Sequence, residues 1–86
     1  MIAIAVDDEV LMLGALVKAI SSSPDISEVT KFLNCDEALE FAKNNSIDIA
    51  FLDINMRGMG GLALAENIIA ARPNCKIVFC TGYEEY

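Results

Sequence analysis

No histidine occurs among the 86 residues, and that one absence closes several routes. A Ser-His-Asp triad, a Cys-His pair, histidine metal ligands and a histidine phosphoacceptor all need an imidazole. Basic residues are scarce too: six Lys and Arg against thirteen Asp and Glu leave a formal charge of −7. Such a segment lacks the basic patch that nucleic acid or an anionic membrane requires, and it suits cations. The cysteines Cys35, Cys75 and Cys80 show no C-x-x-C spacing, so they read as reduced, structural thiols of a cytoplasmic protein. No basic segment precedes the apolar opening, so no secretory signal is expected. No apolar run has the ~20 residues of a membrane span.

What is present is a small, apolar α/β pattern. A chain of this length buries only about 60–65% of its unfolded surface. Its hydrophobic fraction of 55% is high for that size, so further protein is expected to cover part of it. One stretch organises the rest: Ile49-Ala50-Phe51-Leu52 is apolar without alternation, ends in Asp53, and leads through Ile54-Asn55-Met56 to Gly58, Gly60 and Gly61. An apolar run of this kind reads as a strand buried on both faces of a parallel sheet. The opening run Ile2–Val6 likewise ends in acids: Asp7, Asp8 and Glu9. Ligands of open parallel sheets gather at such carboxyl ends.

In chain order, Asp7-Asp8-Glu9 is expected to open a helix to about Ser21, with acids in its first turn and a core stripe of Leu13, Leu16, Val17 and Ile20. Val29 to Leu33 reads as an edge strand. Asn34 and Glu37 stand at capping-box spacing before a second helix, with Asn44-Asn45 as its left-handed exit. Asp48 to Leu52 is the third strand. A third helix, about Gly61 to Arg72, should carry Leu62, Ala65, Ile68, Ile69 and Arg72 on one face before Pro73 stops it. Lys76 to Cys80 is the fourth strand, with Cys80 in the core. Alternation of this kind gives right-handed crossovers and a doubly wound parallel sheet with helices on both faces.

The acidic pair after the first strand, Asp53 after the third, the following Asn55-Met56 and glycine-rich loop, and Thr81-Gly82 after the fourth together resemble the receiver domain of bacterial two-component response regulators. The resemblance spans the whole chain. It implies a flavodoxin-like order 2-1-3-4 within the full 2-1-3-4-5, which sets Asp7, Asp8 and Asp53 side by side. It also implies that Asp53 accepts a phosphoryl group from the phosphohistidine of a sensor histidine kinase, with Mg2+ present. Asp8 and Asp53 would bind the metal directly, Asn55 through its carbonyl and Asp7 mainly through water, and Thr81 would offer its hydroxyl to the phosphoryl group. Residues 1–86 would then be the N-terminal portion of a receiver. The last helix-strand-helix, with its lysine and aromatic switch residue, would lie beyond, and the fourth strand left at an edge would favour a homodimer or swapped oligomer. The ending Thr81-Gly82-Tyr83-Glu84-Glu85-Tyr86 resembles receivers joined to LytTR-type DNA-binding domains, so DNA would be contacted only through an output domain.

The chain departs from that pattern at Arg57, where proline is common, and at Gly60, where an acid is frequent. Each site residue also has a plainer reading. Asp7 or Asp8 could cap the first helix, Asp53 could be a loop acid, Thr81 a turn hydroxyl, and Met56 and Met59 packing residues. A receiver-like module that only dimerises is the main functional rival. An aspartate phosphohydrolase would want a second aspartate where Asn55 stands.

Overall fold

Four five-residue strands set the frame. In the computed structural model, which describes residues 1–80, β1 (Ile2–Val6), β2 (Glu28–Phe32), β3 (Ile49–Asp53) and β4 (Lys76–Cys80) alternate with α1 (Val10–Ser21), α2 (Cys35–Asn44) and α3 (Gly61–Ala71). All strand pairs are parallel, in the order β2-β1-β3-β4. The expected doubly wound sheet is thus formed, with β1 and β3 adjacent and Val6 opposite Leu52.

The two faces bury different amounts. On one, Ile4, Val6, Ala50 and Leu52 of the sheet meet Cys35, Ala38 and Ala42 of α2 and Leu64, Ala65 and Ile68 of α3. Ile4, Leu52, Leu64 and Ile68 are fully enclosed, each contributing roughly 1.5–3 kcal/mol by leaving water. On the other face α1 is the one helix, among the described residues, that covers the sheet, with Leu13 and Ile20 buried and Leu16 and Val17 half-buried against Ala5, Val29 and Phe51. The stripe read from the sequence is therefore the core stripe of α1. No helix of the described residues is long and apolar enough to cross a membrane.

Several local expectations are corrected. α1 starts at Val10 with no acid in its first turn, and its N-cap Glu9 makes no side-chain cap bond. The acids before it are engaged elsewhere. β2 and β3 each sit one residue from the expected span, and Asp53 belongs to β3 because it pairs with Cys80. Asn34 does cap α2, accepting the Glu37 N–H at 2.8 Å. The exit is not left-handed: Asn45 is extended at φ −139°. The Asn44 and Asn45 side-chain amides instead donate back to the carbonyls of Glu40 and Phe41, at 2.8 and 3.0 Å.

The buried face of α3 is rotated from the expected one. Gly61, Leu64, Ala65 and Ile68 face inward, while Leu62 and Ile69 are exposed. This helix is apolar nearly all round, so two stripes satisfy the same spacing, and the contact of Gly61 with β3 selects between them. Arg72 follows the helix and donates through Nε to the Ala42 carbonyl at 2.9 Å, tying the ends of α2 and α3 together. Cys35 and Cys75 are buried, but Cys80 is only half-buried. It lines an open groove of about 360 Å³ with Leu16, Ile20, Ile49 and Phe51, on the side that α1 covers.

Candidate functional site

The carboxyl ends of β1 and β3 deliver the acids to one point. One carboxylate oxygen from each of Asp7, Asp8 and Asp53 lies within 4.8 Å of the others. Asp7 and Asp53 are buried, at 6% and 9% exposure, while Asp8 is half-buried. Apolar strands ending in acids place charge at the boundary of a dry core, which explains the depth of the first and third of these groups.

The backbone positions each carboxylate. Asp7 is held at β1's end by its N–H donating to the Phe32 carbonyl, and its Oδ1 accepts the Glu9 N–H at 2.9 Å. That bond turns the chain toward α1, so Asp7 leads into the helix without being its cap. Asp53 Oδ1 accepts the N–H of Asn55 at 3.3 Å. Asn55 itself is exposed, immediately beside the cluster in the chain. Met56 is buried, and Met59 packs against the same core, as plain packing residues do. Thr81 lies outside the described residues.

Electrostatics divides the pair after β1. Burial pushes the Asp7 carboxyl up, opposed by the Glu9 N–H and reinforced by the negative charges of Asp53 and Asp8. Asp8 moves down, chiefly because the Arg57 backbone N–H bonds its charged form. That N–H reaches Asp8 Oδ2 at 2.9 Å, and the Arg57 Nε reaches the same oxygen at 3.1 Å. Arg57 stood out in the sequence as a charged residue where the family pattern commonly has proline, but its partner did not. Its role appears once the loop folds back over the sheet edge onto β1's acids.

Gly61, read from the sequence as part of the glycine-rich loop and the start of the third helix, has a role there that the sequence did not show. A Cβ placed there would stand 2.1 Å from the Asp53 carbonyl oxygen and 2.8 Å from the Ile54 Cα. Its N–H donates to the Ile54 carbonyl at 3.1 Å. The start of α3 thus sits directly on the end of β3, and only glycine allows that approach. Gly60 before it adopts φ 82°, ψ 160°, a region essentially reserved for glycine. An acid at this position would be strained, so the loop's glycines here are geometric.

The donor set is all oxygen and mostly carboxylate, which fits a hard divalent cation such as Mg2+. Three carboxylates this close, two of them buried, repel one another unless a cation or proton intervenes.

Residues 3–86 match the sequence profile of the response regulator receiver domain. The sensory transduction protein LytR of Staphylococcus epidermidis is 34% identical over 84 residues, 98% of this chain and 33% of that protein. The chain therefore spans about a third of this relative. Among solved structures, the response regulatory domain of protein MrkE from Klebsiella pneumoniae superposes with a TM-score of 0.82 at 34% identity, covering 99% of this chain and 70% of that one. The response regulator TrrA of Thermotoga maritima, solved in complex with Mg2+–BeF, gives 0.79 at 30% identity over 99% and 72%.

Proposed function

Given that the chain belongs to the response regulator receiver family, we propose that it is a phosphoacceptor domain in which Asp53 carries the phosphoryl group. The observation that supports this most directly is the convergence of Asp7, Asp8 and Asp53 at one sheet edge, with Asp53 buried at a strand end. The Asp53 carboxylate attacks the phosphorus of a phosphohistidine on a sensor histidine kinase. An O–P bond forms as the N–P bond breaks; the bonding pair stays on the ring nitrogen, and the imidazole, its other nitrogen already carrying a proton, leaves neutral. A carboxylate is a recognised nucleophile for such acyl phosphates.

Alignment and charge neutralisation are most of what phosphoryl transfer needs. The chain's own residues provide the alignment. Gly61 lets α3 buttress the Asp53 main chain, and the Asn55 N–H holds the Asp53 side chain. Mg2+ would be held by Asp8, Asp53 and the Asn55 carbonyl, with Asp7 acting through water, and would supply positive charge to the phosphoryl oxygens. The hydroxyl of Thr81 would complete the set. By the same reading residues 1–86 are the N-terminal portion of the receiver, located in the cytoplasm. They control an output function, which the resemblance of the C-terminal residues makes a LytTR-type DNA-binding domain.

The test is phosphorylation of the full-length protein by acetyl phosphate with Mg2+, read by intact mass. One phosphoryl group is expected, lost in Asp53→Asn and retained in Asp36→Asn, an exposed control on α2. Undiminished labelling of Asp53→Asn would refute the assignment. A protein inert under all these conditions would favour the rival reading as a dimerising, receiver-like module.

A further inference from the structure

We propose that Arg57 is a built-in counter-ion that competes with the divalent cation for Asp8, so that this domain binds Mg2+ more weakly than its acidic cluster alone would. The proposal rests on the metal-binding reading above and adds to it a residue that sets the affinity. Both donors of Arg57, the main-chain N–H at 2.9 Å and Nε at 3.1 Å, converge on a single oxygen, Asp8 Oδ2. Asp8 is also the carboxylate of the three that is less buried, and so the one a cation reaches from solvent. A proline at position 57, the residue that the family resemblance leads one to expect, would have neither N–H nor charge and could make neither contact.

The two contacts differ in their effect on a metal. The main-chain N–H is neutral and shares Oδ2 at little cost. The guanidinium is a full positive charge beside the place a dication must occupy, so metal entry has to release or displace it. Its side chain is 86% exposed while that of Asp8 is 16% exposed, so displacement is into water and the latch is reversible. Exposed ion pairs shift an equilibrium only a few-fold and are screened by salt. Repulsion between guanidinium and dication adds to this. The expected effect is therefore about a three- to tenfold change in Mg2+ affinity at low ionic strength, shrinking as salt rises.

The test titrates Mg2+ alone into the full-length protein and three variants, following amide shifts of Asp7, Asp8, Asp53 and Arg57 at about 0.02 M and about 0.5 M ionic strength. Arg57→Met keeps the main-chain N–H and the apolar stem but loses the charge; Arg57→Lys keeps the charge; Asp8→Asn removes the shared ligand. Arg57→Met should bind Mg2+ about three- to tenfold more tightly at low salt, with the gap closing at high salt and with Arg57→Lys close to the unaltered protein. Equal or weaker binding by Arg57→Met would overturn the proposal while leaving the metal site standing, and would make Arg57 an aid to Asp8's orientation. Absence of Mg2+ binding in every form, or full binding in Asp8→Asn, would overturn the metal reading itself and the proposal with it.

Discussion

Replacing Gly61 by alanine probes the contact on which the site's geometry depends. The added Cβ would start 2.1 Å from the Asp53 carbonyl oxygen, whereas real Cβ atoms essentially never approach within 3.0 Å. The opposing atoms are backbone, Asp53 O, Asp53 C and Ile54 Cα, so no flexible side chain can yield. The first turn of α3 must therefore retreat by about 0.9 Å, the difference between those two distances. Overpacking of this kind costs about 1–3 kcal/mol. Stretching the Gly61 N–H to Ile54 carbonyl bond, now 3.1 Å, adds about 1 kcal/mol. A total near 3 kcal/mol lowers Tm by about 10–25 °C in a domain of this size. Thermal unfolding followed by circular dichroism is the assay. Gly14→Ala serves as the internal comparison, because Gly14 lies within α1 with nothing within 4 Å of its virtual Cβ. That change should raise stability by about 0.5–1 kcal/mol through helix propensity. A Gly61→Ala protein that melts within about 3 °C of the unaltered one would show that α3 does not rest on β3 as described.

In Mg2+-free buffer, lowering the pH from neutral should stabilise the fold through Asp7. Its folded pKa is raised, so its contribution is fully present below the ordinary value of 3.8 and is lost as pH rises through the raised one. Asp8 has the opposite sign and loses its contribution only as pH falls below 3.8 toward its lowered value. Urea titrations across this window should show a slope that flattens in Asp7→Asn, and an unchanged slope would refute the burial argument. The 86-residue chain alone should self-associate, since β4 pairs only with β3 among the described residues and exposes Val78 and Phe79 at 37% and 39%. Size exclusion with light scattering, in reductant, should show dimer or larger, shifting to monomer in Val78→Lys; a clean monomer of the unaltered chain would refute it.

Much of this fold was legible because its signals were local. The unalternating run Ile49–Leu52 and the opening run Ile2–Val6 identified strands buried on both sides. The Asn34–Glu37 spacing identified the start of α2 to the residue. The stripe Leu13, Leu16, Val17 and Ile20 identified the inner face of α1. What escaped depended on contacts that propensity and periodicity do not register. α3 is so uniformly apolar that its inner face could not be read from its own residues; a glycine meeting the Asp53 carbonyl decided it. The acids after β1 favoured an early helix start by propensity, but Asp7 and Asp8 are bonded elsewhere and the helix waits until Val10. Arg57 lies 49 residues from Asp8, beyond any local pattern.

These misses share a cause, which is that the site is assembled by one loop. The chain leaving β3 must hold Asp53 at the sheet edge, fold back far enough for residue 57 to reach Asp8, and return in time for α3 to begin at residue 61. The eight residues that do this, 54–61, include three glycines, and Gly58 and Gly60 are at positive φ. Gly60 supplies a φ of 82° at the return and Gly61 supplies the missing Cβ at the landing. Position 57, freed from proline, supplies an N–H and a charge at the crossing. The glycines are therefore required by the path of the loop, whereas Arg57, which is not at positive φ, occupies backbone that does not call for arginine in particular. A residue that the fold does not need, placed on a carboxylate that the site does need, is where variation can tune the site without endangering the fold. The exposed guanidinium of Arg57 meets that condition, and the buried Asp7 and Asp53 do not.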